Sequence, residues 1–165
     1  MGSPDGRVDP GGTSFRKLVE GLPKSAPANL TAKFDMVRFP TKRNQMTLGR
    51  ITVNRTTYFF TSGGFGRGNL PSNTYTITEH LRSHGGSSYS VDGVGYSFAV
   101  SDVQDSRVGG DPRTLLRIHP DGGKLGTNGC IGILGGAATQ RSFRDNMYAE
   151  LKRSKESKVQ LKVTQ

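Results

Sequence analysis

Apolar and polar residues alternate along much of this chain from residue 30 onward, which is typical of strands that bury one face. The clearest hairpin signal is the turn pair Asp92-Gly93, which has alternating apolar positions on both sides. Helical spacing is found instead at Phe143, Met147 and Leu151, and predicts a helix over about residues 139–152. The predicted strands are 30–36, 46–48, 51–53, 58–60, 74–78, 89–91, 94–100, 115–119, 130–134 and 159–163.

This order of elements predicts a mainly β fold, either a β-sandwich or a partly closed barrel, with one longer helix near the C terminus. We expect residues 28–165 to form the folded domain. Residues 1–27 are expected to hold a tag at positions 1–3, a short helix over 13–22 capped by Thr13, and a linker over 23–27.

The chain has 23 Lys and Arg against 13 Asp and Glu, a formal charge of +10, which favours polyanions such as nucleic acid, anionic membranes or cell-wall polymers. The sequence has no zinc-finger spacing, aromatic RNA-binding signature or basic zipper, so we expect no nucleic-acid partner. It has neither an apolar run of roughly 20 residues nor a secretory signal. We therefore expect no membrane span, and we also expect a monomer.

Cys130 is the single cysteine, and it is either a small buried hydrophobic residue or a nucleophile. It lies in the glycine-rich run 126–132, where backbone amides are uncovered. His119 lies upstream, at the end of one predicted strand, while Cys130 begins the next. A histidine and a cysteine on adjacent strands can form the pair that activates a thiol, and this context favours the nucleophile.

The segment Arg117-Ile118-His119-Pro120-Asp121-Gly122, followed by Gly126-Thr127-Asn128-Gly129-Cys130-Ile131, resembles the active-site signature of the L,D-transpeptidase (YkuD-like) family. A second similarity is the strand and glycine turn 60–64, followed by the Pro-containing segment 70–77. The resemblance covers roughly residues 30–135 and implies the β-sandwich or partly closed barrel of that family. Residues 1–27 show a short similarity to the end of a wall-binding module found beside phage and secreted cell-wall enzymes.

Acyl transfer by a thiol would use Cys130 as the nucleophile and His119 as the base that takes its proton and lowers its pKa. The resemblance implies that the Pro120 main-chain carbonyl orients His119. Candidate oxyanion donors are the amides of Gly129, Asn128 and Cys130. Substrate contacts are expected from Thr127, which could instead pin the loop, and from Gly64 in a glycine-rich loop bordering the cleft. Asp121 is interpreted as a turn residue rather than a triad acid.

Two positions depart from the family pattern: Asn128 replaces a histidine and Gly132 replaces an arginine. The interval between His119 and Cys130 is also shorter than usual. Arg117 or Arg67 is predicted to replace the missing cation.

The resemblance implies a peptidoglycan-modifying cysteine enzyme that acts on stem tetrapeptides, as L,D-transpeptidase or L,D-carboxypeptidase, without a cofactor or metal. We expect it to act in the bacterial periplasm or cell wall, as a phage lysis protein, as an antibacterial effector with immunity or delivery proteins as partners, or as a trimmed secreted enzyme. The alternatives are a non-catalytic domain that binds cell wall or polyanions, and a zinc peptidase that uses His80, His84 and His119.

Overall fold

The computed structural model describes residues 30–39 and 46–164, with side-chain detail from residue 46 onward. The predicted helix over 13–22 and the linker over 23–27 lie outside these residues. No helix within the described part of the chain is long and apolar enough to cross a membrane.

Short strands make up most of the regular structure, as the alternating pattern predicts. Helix α1 spans Ala137–Arg153, which confirms the predicted helix and extends it slightly at both ends. Two 3-10 helices span Ser87–Tyr89 and Ser106–Val108. The strands are β1 (Leu30–Phe39), β2 (Met46–Val53), β3 (Thr56–Gly63), β4 (Asn73–Leu81), β5 (Ser90–Val91), β6 (Val94–Gly95), β7 (Ser97–Val100), β8 (Val103–Gln104), β9 (Pro112–Arg113), β10 (Arg117–Pro120), β11 (Ile131–Ile133) and β12 (Lys158–Thr164).

Eight strands form one strongly curled sheet in the order β1-β12-β4-β7-β10-β11-β3-β2, and β2 pairs back with β1. The mainly β fold with one long helix is therefore confirmed, and the sheet resembles the predicted barrel rather than the sandwich. The Asp92-Gly93 turn joins β5 and β6, but this hairpin contains only two residues per strand. Strand β7, which was predicted to continue it, joins the curled sheet instead.

The helix packs its predicted apolar face on aromatic side chains of the sheet. Phe143 is fully buried, with its ring centroid 5.1 Å from that of Tyr58 and 5.9 Å from that of Tyr96. Gln140 is also fully buried, but its amide donates to the Ile133 carbonyl and accepts from the Tyr96 hydroxyl. Because both ends of the amide have partners, its burial leaves no polar group unpaired, and these bonds add specificity to the packing.

Strands β10 and β11 position the predicted nucleophile and base. They are parallel neighbours, with Ile118 opposite Ile131 and His119 opposite Gly132. Because parallel strands run in the same direction, the chain between them must return to the start of the second strand. The loop of residues 121–130 makes this return, and it ends at Cys130 beside β10.

Candidate active site

A cleft of about 410 Å³ opens beside the loop 121–130, and both His119 and Cys130 line it. The structure thus brings the predicted nucleophile and base into one concave site. The cleft walls come from the glycine-rich loop after β3, the first 3-10 helix and the loop 121–130. The other lining residues are Phe65, Ser88, Tyr89, Gly122, Lys124, Gly126, Thr127 and Asn128.

His119 is buried and oriented from two sides. Its Nδ1 lies 2.7 Å from the main-chain carbonyl oxygen of Pro120, the contact that the family resemblance implies. The Tyr89 ring centroid lies 4.4 Å from the imidazole centroid. Burial lowers the pKa of His119 to about 4, against the opposing effect of the Pro120 hydrogen bond. A neutral imidazole must donate from Nδ1 to that carbonyl, so the lone pair is on Nε2.

Cys130 is partly exposed to the cleft, and burial is the largest influence on its thiol pKa. Burial raises the pKa of the thiol, although the backbone N–H of Arg117 and the charges of Arg117 and Arg113 act in the opposite direction. The net shift of the thiol pKa is thus upward, and its lowering by His119 stays a prediction. The directions of both pKa shifts favour a protonated thiol and a neutral imidazole over an ion pair.

Thr127 pins the loop, which was the second of its two predicted roles. Its hydroxyl donates to the Cys130 carbonyl at 2.7 Å and accepts from the amides of Gly63 and Gly129, both at 3.2 Å. A hydroxyl has one donor and two acceptor positions, so its capacity is used within the protein. The hydroxyl is thus not a substrate contact.

The oxyanion prediction needs one correction, at Gly129. Its amide donates to Thr127 and does not face a substrate. The amides of Asn128 and Cys130 remain the candidate donors. The Asn128 carbonyl accepts from the Arg113 guanidinium at 3.0 Å, a contact that the sequence did not indicate.

The cation that lines the cleft differs from the two that were predicted. The Arg117 guanidinium folds back onto the Leu116 carbonyl at 2.8 Å, and Arg67 is exposed outside the cleft lining. Among the described lining residues, Lys124 carries the positive charge. Gly64 does not line the cleft either, but its backbone forms a parallel bridge with Thr127 that holds two cleft walls together.

Asp121 braces the loop, so the interpretation as a simple turn residue is incomplete. Its carboxylate accepts from the Thr61 hydroxyl on β3 and from the Gly126 amide at 3.1 Å. Burial raises its pKa, and these two hydrogen bonds oppose that shift. The Pro-Asp-Gly-Gly sequence predicts a turn, and only the fold brings Thr61 to it.

Gly132 has no room for the arginine that the family pattern has there. A Cβ at this position would lie 2.9 Å from Thr127 Cγ2 and 3.0 Å from both Asp121 Cβ and Thr61 Oγ1. The departure from the pattern therefore follows from close packing below the cleft.

The proposed three-histidine zinc site is not formed. His80 Nδ1 bonds the Ser97 hydroxyl at 2.7 Å, while the ring of His84 stacks on Tyr89 at a centroid distance of 4.5 Å. Across the described residues, no three His, Cys, Asp or Glu side chains come together in a way that could hold a metal ion.

Comparisons with protein-family models, with curated proteins and with solved structures find no match to this chain.

Proposed function

We propose that this protein is a cysteine acyltransferase of the L,D-transpeptidase type that acts on peptidoglycan stem peptides in the bacterial periplasm or cell wall. One observation carries the proposal: Cys130 lines a cleft with a buried histidine whose Nδ1 is held by the Pro120 carbonyl. Nucleophile, base and orienting group are the three parts that thiol acyl transfer requires. The substrate class and location come from the motif resemblance.

The proposed reaction begins with the neutral pair. Cys130 Sγ attacks the carbonyl carbon of the diamino acid at position three, while His119 Nε2 takes the thiol proton. The amides of Asn128 and Cys130 stabilise the oxyanion. The C–N bond to the terminal D-alanine then breaks, and His119 returns the proton to the leaving amine. An amine or a water molecule resolves the thioester, giving transpeptidation or hydrolysis.

Lys124 supports an anionic substrate. It lines the cleft together with Phe65 and Tyr89, which offer aromatic surface. A stem peptide combines an aliphatic side chain with free carboxylates, and an ammonium group binds a carboxylate at a cleft wall. In this proposal Lys124 takes the place of the arginine that Gly132 cannot accommodate.

Incubation with tetrapeptide muropeptides tests the proposal, with products followed by mass spectrometry. We expect the wild type to release D-alanine or form dimers, and Cys130→Ala and His119→Gln to lose this activity by roughly a thousandfold or more. His80→Gln is the matched control, because this histidine contacts Ser97 outside the cleft. A covalent carbapenem adduct on the only cysteine, seen by intact mass, would give independent support.

Equal turnover by the wild type and Cys130→Ala would refute the nucleophile assignment. Binding to isolated cell walls by both proteins, without turnover or a carbapenem adduct, would instead identify the non-catalytic binding domain.

A further inference from the structure

Arg113 is a buried arginine that contacts the loop 121–130 and that the proposed mechanism does not use. Its side chain is 4% exposed and pairs at 3.0 Å with Asp105, which is 2% exposed. Two charges are rarely buried in this way without a structural or functional consequence, because their removal from water is costly.

The guanidinium connects three separate loops. Nη1 donates to the Asn69 carbonyl at 2.9 Å and to Asp105, while Nη2 donates to the carbonyls of Asn128 at 3.0 Å and Gly68 at 3.4 Å. The planar fork of arginine suits these diverging acceptors, and the single ammonium of lysine does not.

The same guanidinium packs directly against the residue before the nucleophile. A Cβ on Gly129 would lie 1.5 Å from Arg113 Nη2, and Gly129 has a φ of +100°. The peptide unit between Asn128 and Gly129 is therefore held at both ends: its carbonyl by Arg113 and its N–H by Thr127. A glycine-rich run with this constraint has one backbone orientation at Cys130 instead of many.

Arg113, Asp105 and Arg107 form a cluster that carries a fixed net positive charge. Asp105 is shared by Arg113 and Arg107, and hydrogen bonding from Arg107 is the largest cause of its pKa being lowered to about 2. Two guanidinium groups around one carboxylate leave one positive charge uncompensated. Arg113 is the member of this cluster that contacts Asn128 and Gly129, the two residues before the thiol.

We propose that Arg113, anchored by Asp105, is a positioning residue that fixes the backbone of residues 128–130 and supplies the positive charge that stabilises the Cys130 thiolate as it forms. This inference deepens the proposed function, on which its expected effect on turnover rests. The effects on backbone order and thiol reactivity do not depend on which substrate is used.

Arg107 offers a matched control. Its guanidinium bonds the same carboxylate and the Asn69 carbonyl rather than the loop that carries Cys130. Arg107→Met therefore removes a guanidinium from Asp105 and leaves the contact with Asn128 in place.

The test measures two properties of the full chain: amide hydrogen exchange at Gly129 and Cys130 by NMR, and the pH dependence of iodoacetamide alkylation at the only cysteine. Arg113→Met is expected to speed exchange at Gly129 at least tenfold and to slow alkylation at pH 7.5 by about tenfold, which corresponds to one pKa unit. Arg113→Lys is expected to speed the exchange but to keep most of the alkylation rate. Arg107→Met should change both the amide exchange rate and the alkylation rate by less than about threefold.

Other charged or titratable groups around the thiol also affect the pH dependence of alkylation. These groups are unchanged in all three variants, and they are His119, Arg117, Lys124 and Tyr89. If Arg113→Met does not fold, Arg113→Lys alone decides the positioning claim. The proposal is overturned if the folded Arg113 variants match Arg107→Met in both measurements. A wild type that does not process muropeptides but shows the expected Arg113 effects would refute the proposed substrate and leave the positioning role standing.

Discussion

The hydroxyl of Thr127 donates a 2.7 Å hydrogen bond to the carbonyl oxygen of Cys130. The hydroxyl oxygen of Thr127 also accepts from the amides of Gly63 and Gly129, so one side chain ties the end of β3 to the residues around the nucleophile. Thr127 is only 4% exposed, which means that water cannot replace these bonds without a change in the loop.

Thr127→Val is therefore expected to destabilise the protein by at least about 2 kcal/mol, because it leaves buried backbone groups unpaired at nearly constant volume. Thr127→Ser keeps the hydroxyl and should cost about 1 kcal/mol for the lost methyl group. Urea unfolding measures both values. Equal unfolding free energies for the two variants would mean that the hydroxyl does not hold the loop.

The buried state of His119 predicts an unusual pH profile. The base works only when neutral, and burial lowers its pKa to about 4. Activity is thus expected to persist as the pH falls through 6.5, the ordinary value, and to decline only near pH 4. The acid limb of kcat/KM measures this pKa in the free enzyme.

Tyr89 provides the control for this profile. Its ring covers His119 on the cleft side, and the charge of His84 behind it also lowers the His119 pKa. Tyr89→Ala exposes the imidazole and should move the acid limb of the profile upward by about one pH unit. Tyr89→Phe keeps an aromatic ring over the imidazole and should leave the acid limb where it is. An acid limb near pH 6.5 in the wild type would contradict the assignment of a buried base.

The sequence was sufficient to predict the parts of the fold and site that depend on local pattern. Alternation gave most strands of the sheet, and the spacing of Phe143, Met147 and Leu151 gave the helix. The neighbourhood of His119 and Cys130 followed from their places at strand ends. These features depend on residues close together in the sequence, so a single sequence is enough to detect them.

The parts that could not be predicted depend on contacts between distant segments. Arg113 stands beside Asp111-Pro112 in a polar stretch that reads as exposed, and its burial results from the loops at 68–69, 105 and 128 closing around it. The thiol pKa also depends on burial, which the motif does not encode. Lys124 is not indicated by the motif resemblance, because the family pattern has an arginine as its cation.

Lys124 is expected to set the affinity for anionic substrates. Lys124→Gln should raise KM for a tetrapeptide with a free carboxylate by roughly tenfold and leave kcat within about threefold, because the ammonium binds the ground state and the transition state alike. Arg67→Gln is the matched control, since Arg67 is exposed and does not line the cleft. With a substrate whose carboxylate is amidated, the KM values of the wild type and Lys124→Gln should become nearly equal. If Arg67→Gln raises KM as much as Lys124→Gln does, general surface charge is responsible rather than a contact in the cleft.

Gly132 is expected to tolerate no side chain, even though the family pattern has arginine there. In Gly132→Ala the new Cβ meets Thr127 Cγ2, Asp121 Cβ and Thr61 Oγ1 at 3.0 Å or less, and the groups that would have to move are those that brace the loop. Overpacking of this kind costs about 1–3 kcal/mol, which thermal or urea unfolding can measure. Gly85→Ala should change stability by less than about 0.5 kcal/mol, because no atom lies within 4 Å of its Cβ position. Equal stabilities for the two variants would show that the space beside Gly132 can open, and an arginine at this position would then be compatible with the fold.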